Sequence, residues 1–219
     1  SSGEAHARAE AELRMRARRF VVARGRAQGN GKLRVGSYVD LSGTAPLFEA
    51  RTDAYLIART ETTYADWLVY LRDLPPAERA RRLQQTSGMQ GAVALRERPD
   101  GRFELLLRTG EQEHRALERE RIHYPHRERR ADPDWLRLPV GGINFEDARA
   151  YTEWLAQTRR VPGARLCTEY EWERAARGAD DRLFPHGDRV SPDDGDLDIT
   201  YKKDPLALGP DEVGAHPAS

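Results

Sequence analysis

From Arg165 to Gly178 the chain spells out one helix with both of its ends marked: Arg-Leu-Cys-Thr-Glu-Tyr-Glu-Trp-Glu-Arg-Ala-Ala-Arg-Gly. Thr168 and Glu171 stand three residues apart, the spacing at which each side chain satisfies the other's backbone N–H at a helix start. Trp172, Ala175 and Ala176 fall on one face, and Gly178 stands where a left-handed cap is favoured. Packing accounts for this whole pattern without any chemistry. It predicts Trp172 against a core and Cys167 as a small buried residue beside the capping threonine.

The same grammar marks two more helices. Thr62-Thr63 caps a segment with Tyr64, Trp67, Leu68 and Leu71 at i, i+3, i+4 and i+7, and Pro75-Pro76 stops it. Asn144 opens another that carries Ala148, Tyr151, Thr152 and Leu155 on one side, with Trp154 beside them. Residues 77–85 read as one further helical piece. Short strands are expected at Leu33–Tyr38 and Ala54–Ala58, and Pro99-Asp100-Gly101 reads as the turn of a hairpin joining Val93–Leu95 to Phe103–Leu107. Residues 109–135 are so charged that a surface excursion is expected, with Trp135 near a surface groove. Residues 1–30 read as an arginine-rich linker helix from Glu4 to about Arg24, preceding a domain over 31–219.

Composition fits a fold rich in polar loops. Of the 219 residues, 38% are hydrophobic and 33% charged, with a mean hydropathy of −0.80. The formal net charge of zero is unevenly spread. Residues 1–30 hold seven arginines against three glutamates, whereas residues 178–219 hold ten acids against four bases. The acidic end argues against nucleic acid or an anionic membrane as partner and suits a hard cation. Cys167 is the single cysteine, so no intrachain disulfide forms and no oxidising compartment is implied; a cytoplasmic location is expected. No apolar run is long enough to cross a bilayer. The chain begins without methionine and is expected to be a piece of a longer protein.

Several motifs invite chemistry and yield to plainer readings. Gly29-Asn30-Gly31-Lys32 fails as a phosphate loop because Arg26 and Leu33 occupy its first glycine and its Ser/Thr positions. His123 and His126 have irregular spacing for zinc. Glu169, Glu171 and Glu173 suit the first turn of a helix, where the dipole favours negative charge. No catalytic residue is assigned.

Taken in order, the signals form a set: Arg59-Thr60-Glu61-Thr62-Thr63; Pro139-Val140-Gly141-Gly142-Ile143-Asn144-Phe145-Glu146-Asp147-Ala148; the Arg165–Gly178 helix; Phe184-Pro185-His186-Gly187-Asp188; and Val213-Gly214-Ala215-His216-Pro217. This set resembles the formylglycine-generating enzyme, or sulfatase-modifying factor, family over roughly residues 33–219. The resemblance implies an α+β fold, a loop-rich C-type-lectin-like one with two main helices packed on small antiparallel sheets. It implies a structural Ca²⁺ in the aspartate-rich loop, with Asp198 as side-chain ligand, Ile199 through its carbonyl, and Asp204 as a looser candidate; oxygen donors suit this cation.

Catalytic members of the family bind copper through a cysteine pair in the C-terminal part of the domain and oxidise a substrate cysteine to formylglycine. That pair is absent here: Cys167 stands where the family has a helix-entry proline, and His186 replaces its turn tryptophan. Soft thiolates suit Cu(I), so copper is expected only if a cysteine pair follows residue 219. The resemblance therefore implies a non-catalytic or regulatory scaffold in a larger bacterial multidomain protein, of the kind linked to signalling kinases. Its expected partner is a peptide or protein ligand, or an attached upstream domain. The alternative is the N-terminal part of a formylglycine-generating or related metal-dependent oxidase. An ergothioneine-type sulfoxide synthase would need an iron-binding helical bundle, for which residues 1–30, with His6 alone, are too short.

Overall fold

The computed structural model describes residues 20–23, 32–35, 48–83, 85–88, 91–177, 182, 184–185 and 187–216. The chain divides into two units, one comprising Ser1–Thr60 with Cys167–Val190 and the other Glu61–Leu166 with Ser191–Ser219.

In the first unit, strand β1 (Phe20–Ala23) pairs antiparallel with β4 (Tyr55–Ala58), and β2 (Lys32–Val35) with β3 (Phe48–Arg51). The expected helix from Glu4 to Arg24 is corrected here. Its last residues, Phe-Val-Val-Ala, are a strand, because β-branched and aromatic side chains favour the pleated surface. The rest of that segment lies outside the described residues. The strand expected over Leu33–Tyr38 is observed at Lys32–Val35, and residues 36–38 lie outside the described residues.

The second unit is organised by α1 (Tyr64–Asp73). The Asp66 N–H donates to Thr63 Oγ1 at 3.2 Å, and the Asp66 carboxylate accepts from the Thr63 N–H at 3.4 Å. Such a cap is worth about 1 kcal/mol. Tyr64, Trp67, Leu68 and Leu71 are all buried, so the apolar stripe seen in the sequence is the packed one. Beyond Leu74 a short helix, α2 (Pro76–Arg81), begins at the proline, where a missing N–H costs nothing.

The stripe packs on an antiparallel meander, β5 (Gln85–Gly88), β6 (Gly91–Glu97), β7 (Phe103–Thr109) and β8 (Gln112–Leu117), in that order. Register pairs Leu95 with Leu105 and Leu105 with Ala116, so every second residue faces the core. Gly101 makes the hairpin turn between β6 and β7 at φ +79°, a conformation that favours glycine.

The charged stretch 109–135 is not a surface excursion. Its first residues make β8, with His114 and Ala116 inward, and its loop buries Ile122, Tyr124, Arg127 and Trp135. Trp135 is corrected with it: it is fully buried, meets Tyr64 edge-on with ring centroids 5.6 Å apart, and its Nε1 donates to the Leu117 carbonyl at 2.9 Å. The charged residues between these anchors, such as Glu113, Arg115 and Arg121, stay exposed. Their number hid the few apolar positions from a reading by composition.

Helix α3 (Phe145–Gln157) starts at Asn144, whose Oδ1 accepts the Asp147 N–H at 2.8 Å. Its Tyr151 and Trp154 complete an aromatic cluster with Trp67 and Tyr70 of α1, with centroids 5.0–5.7 Å apart. Mixed helices and small antiparallel sheets make the fold α+β. Among the described residues, no helix is long and apolar enough to cross a membrane.

Candidate functional site

Helix α4 (Glu169–Arg177), in the first unit, begins with the expected capping box: the Thr168 N–H donates to the Glu171 carboxylate at 2.8 Å, and the Glu171 N–H to Thr168 Oγ1 at 3.3 Å. The face it packs is not the expected one. Glu171 and Arg174 are buried, whereas Trp172 is 61% exposed. The polar face is drawn in by hydrogen bonds: Tyr55 donates its hydroxyl to the Glu171 carbonyl, and Arg174 reaches the carbonyl and hydroxyl of Thr52. Cys167 is exposed, not buried. It precedes the helix in irregular chain, so helical spacing does not carry it inward. Gly178 and His186 lie outside the described residues.

The second unit contains a buried polar cluster that sequence reasoning missed. Arg127 reaches from the loop after β8 to the C-terminal stretch, donating to the Ala207 carbonyl at 2.7 Å, to the Gly209 carbonyl, and to Asp211 Oδ1 at 2.7 Å. The side chains of Arg127 and Asp211 are 0% and 2% exposed. The guanidinium lies over Tyr124 at 4.1 Å and over Tyr201 at 3.9 Å from the ring centroids, a double cation–π contact. Asp211 also accepts from the Tyr201 hydroxyl at 2.6–2.7 Å and lies 2.9 Å from His216 Nε2. His216 Nδ1 is 3.4 Å from Asp193, which takes Arg130 at 2.8 Å and Arg129 at 3.1 Å.

These contacts set the local electrostatics. The Arg130 hydrogen bond holds the Asp193 carboxyl down at about 2. Burial, then the hydrogen bond to Asp211, pushes the Tyr201 phenol up to about 12. Asp196 keeps part of its surface in solvent, yet crowding by protein atoms and then the charge of Asp211 push its carboxyl up to about 6. Chemically the arrangement holds rather than reacts. Each carboxylate oxygen of Asp211 already accepts a donor from the chain, and charge-assisted bonds of this kind are the strong ones.

The aspartate-rich loop is dispersed by comparison. Asp198 and Ile199 lie in a 3-10 turn, Asp198–Tyr201, and the side chain of Asp198 is outside the described residues. The Ile199 carbonyl accepts the Lys202 N–H at 3.3 Å. Asp204 caps a second turn, its Oδ1 accepting the Leu206 N–H at 2.9 Å, with Oδ2 3.5 Å from His126. His123 pairs with Asp132 instead, so the two imidazoles serve different acids. Among the described residues, no group of three or more His, Cys, Asp or Glu is placed to hold a metal ion.

The second unit also has an apolar groove of about 230 Å³, lined by Tyr64, Val93, Leu105, Leu107, Pro210 and the segment Leu138–Gly141. Its walls belong to α1, to the sheet and to the chain entering α3.

The sequence profile of the Sulfatase-modifying factor enzyme 1-like domain matches residues 7–205. The chain belongs to this family. It is 44% identical over 54 residues to the Uncharacterized protein YfmG of Bacillus subtilis (strain 168), covering 25% of this chain and 10% of that protein. It is 43% identical to the mouse and 41% identical to the bovine Inactive C-alpha-formylglycine-generating enzyme 2, each over 58 residues. Those matches cover 26% of this chain and 17% of the mammalian proteins. The matched stretch is thus a small part of each of these relatives.

Proposed function

We propose that this sulfatase-modifying-factor domain acts as a non-catalytic scaffold that binds a peptide or protein ligand within a larger bacterial protein. The observation that carries this reading is the Arg127 cluster, whose buried ionisable groups are committed to one another and to main-chain carbonyls. Two further facts support it. Cys167 is exposed at a helix entry. Two mammalian relatives carry the word inactive in their names. The apolar groove beside Leu138–Gly141 is the seat we assign to the ligand. A C-type-lectin-like arrangement, a link to signalling kinases, attachment to an upstream domain and a cytoplasmic setting belong to the same proposal.

The test uses full-length protein, copper and a cysteine-containing peptide. Saturable peptide binding, weakened at least tenfold by Val140→Glu, with no copper-dependent oxygen uptake, is the expected result. Copper-dependent oxygen uptake would overturn the scaffold and favour the oxidase, to which this chain would contribute the N-terminal part.

A structural Ca²⁺ held by Asp198, the Ile199 carbonyl and Asp204 completes the proposal. All three donors are oxygens, as this cation prefers. Asp204 would have to share the carboxylate that now caps Leu206. Chelation should lower the melting temperature of calcium-loaded protein by several degrees, and an unchanged value would count against the site.

A further inference from the structure

His114 occupies an inward position of β8, where its neighbour two residues on is the buried Ala116. Its Nε2 lies 3.3 Å from the Thr109 hydroxyl on β7, and a second hydrogen bond ties the ring to the His123 backbone. The ring meets Tyr124 edge-on, with centroids 4.9 Å apart at 79°.

Tyr124 is in turn the part on which the C-terminal stretch is seated. Arg127 stacks on it, its hydroxyl donates to the Pro210 carbonyl at 3.3 Å, and its ring fills the place a Cβ at position 209 would take, 2.6 Å away. Arg127 simultaneously grips Ala207, Gly209 and Asp211. One ring thus separates an imidazole on the sheet from the guanidinium that fastens residues 207–211.

The groups facing His114 are Thr109 from β7 and His123, Tyr124 and Arg127 from the loop after β8. The charged and ionisable ones among them are Arg127, His123 and the Tyr124 phenol; the first two oppose a second positive charge, and no carboxylate is among them. Burial first, then these two residues' charges, hold the imidazole below the ordinary histidine value; only the hydrogen bond to the His123 backbone acts the other way. His216 is placed differently, 2.9 Å from Asp211 and 3.4 Å from Asp193.

We propose that His114 is a proton-operated release for the C-terminal stretch: a proton taken up on the imidazole sets a cation against Arg127 across Tyr124 and loosens the hold on residues 207–216. A histidine kept neutral in the folded state contributes stability that is present above the ordinary histidine value and is lost as pH falls through the lowered one. The loosening therefore comes on acidification, below about 6.5, and acts on the stretch rather than on the α1–sheet core.

Hydrogen exchange of the full chain between pH 7 and pH 5, corrected for intrinsic rates, tests this. Protection of residues 207–216 is expected to fall about tenfold or more while α1 stays protected, as linkage to one proton over that range allows. His114→Gln, which keeps a partner for Thr109, should abolish that fall. Equal acid loss in wild type and His114→Gln would overturn the proposal, as would no loss in wild type. Should the variant fail to fold, nuclear magnetic resonance on wild type decides: the His114 ring and the Gly209 amide must titrate with one midpoint, and separate midpoints would refute the coupling.

Discussion

Helix α1 and the Arg127 cluster lie in one unit and are held by opposite means. Around α1, close packing dominates: Trp67, Leu71, Leu95, Phe103 and Leu105 have no exposed surface, and each buried leucine contributes about 1.5–3 kcal/mol. Around Arg127 the buried atoms are charged, and the cluster stands because each is matched. The first arrangement degrades by degrees as side chains shrink. The second fails abruptly when one partner goes, because the other is left as an uncompensated buried charge.

That contrast sets the order of the expected effects. Arg127→Met keeps much of the side-chain volume but strands Asp211, and chemical denaturation should register a loss of about 3–5 kcal/mol. If Arg127→Met with Asp211→Asn restores most of it, charge matching is the cause; if the double variant is no better than the single, the aromatic stacking carries the cluster and the contrast collapses. Leu105→Ala should cost about 2–4 kcal/mol by the same measurement, the outcome for a cavity in a well-packed core. A loss under about 1 kcal/mol would mean that the neighbouring groove lets the site collapse. Trp172→Ala, on the exposed face of α4, should stay within about 0.5 kcal/mol. A larger loss would show that this indole is covered in solution.

The parts legible in the sequence are those with local causes. Thr63, Asn144 and Thr168 each cap the helix they were expected to cap, because capping depends on residues within one turn. The stripe on α1 was legible because four apolar residues fall at helical spacing over two turns. Which face of α4 is packed was not, because Thr52 and Tyr55 decide it from 116–122 residues away. Strand β8 and its loop escaped because Tyr124 and Arg127 are isolated among charges and follow no period. The cluster joins positions 80–84 residues apart in sequence, with only Gly209, Pro210 and Asp211 as a turn-like hint. The family was legible from the order of the motifs, since order survives where individual residues do not.

The exposure of Trp172 has a practical side. Trp67 and Trp135 are sealed in one unit and Trp154 is partly covered there, while Trp172 stands in solvent in the other. Iodide, which cannot enter a packed interior, should quench the emission of the fourth indole and spare the first two. The chain therefore carries its own pair of optical probes, one population reporting on each unit, and the order in which the units melt can be followed without attaching a dye.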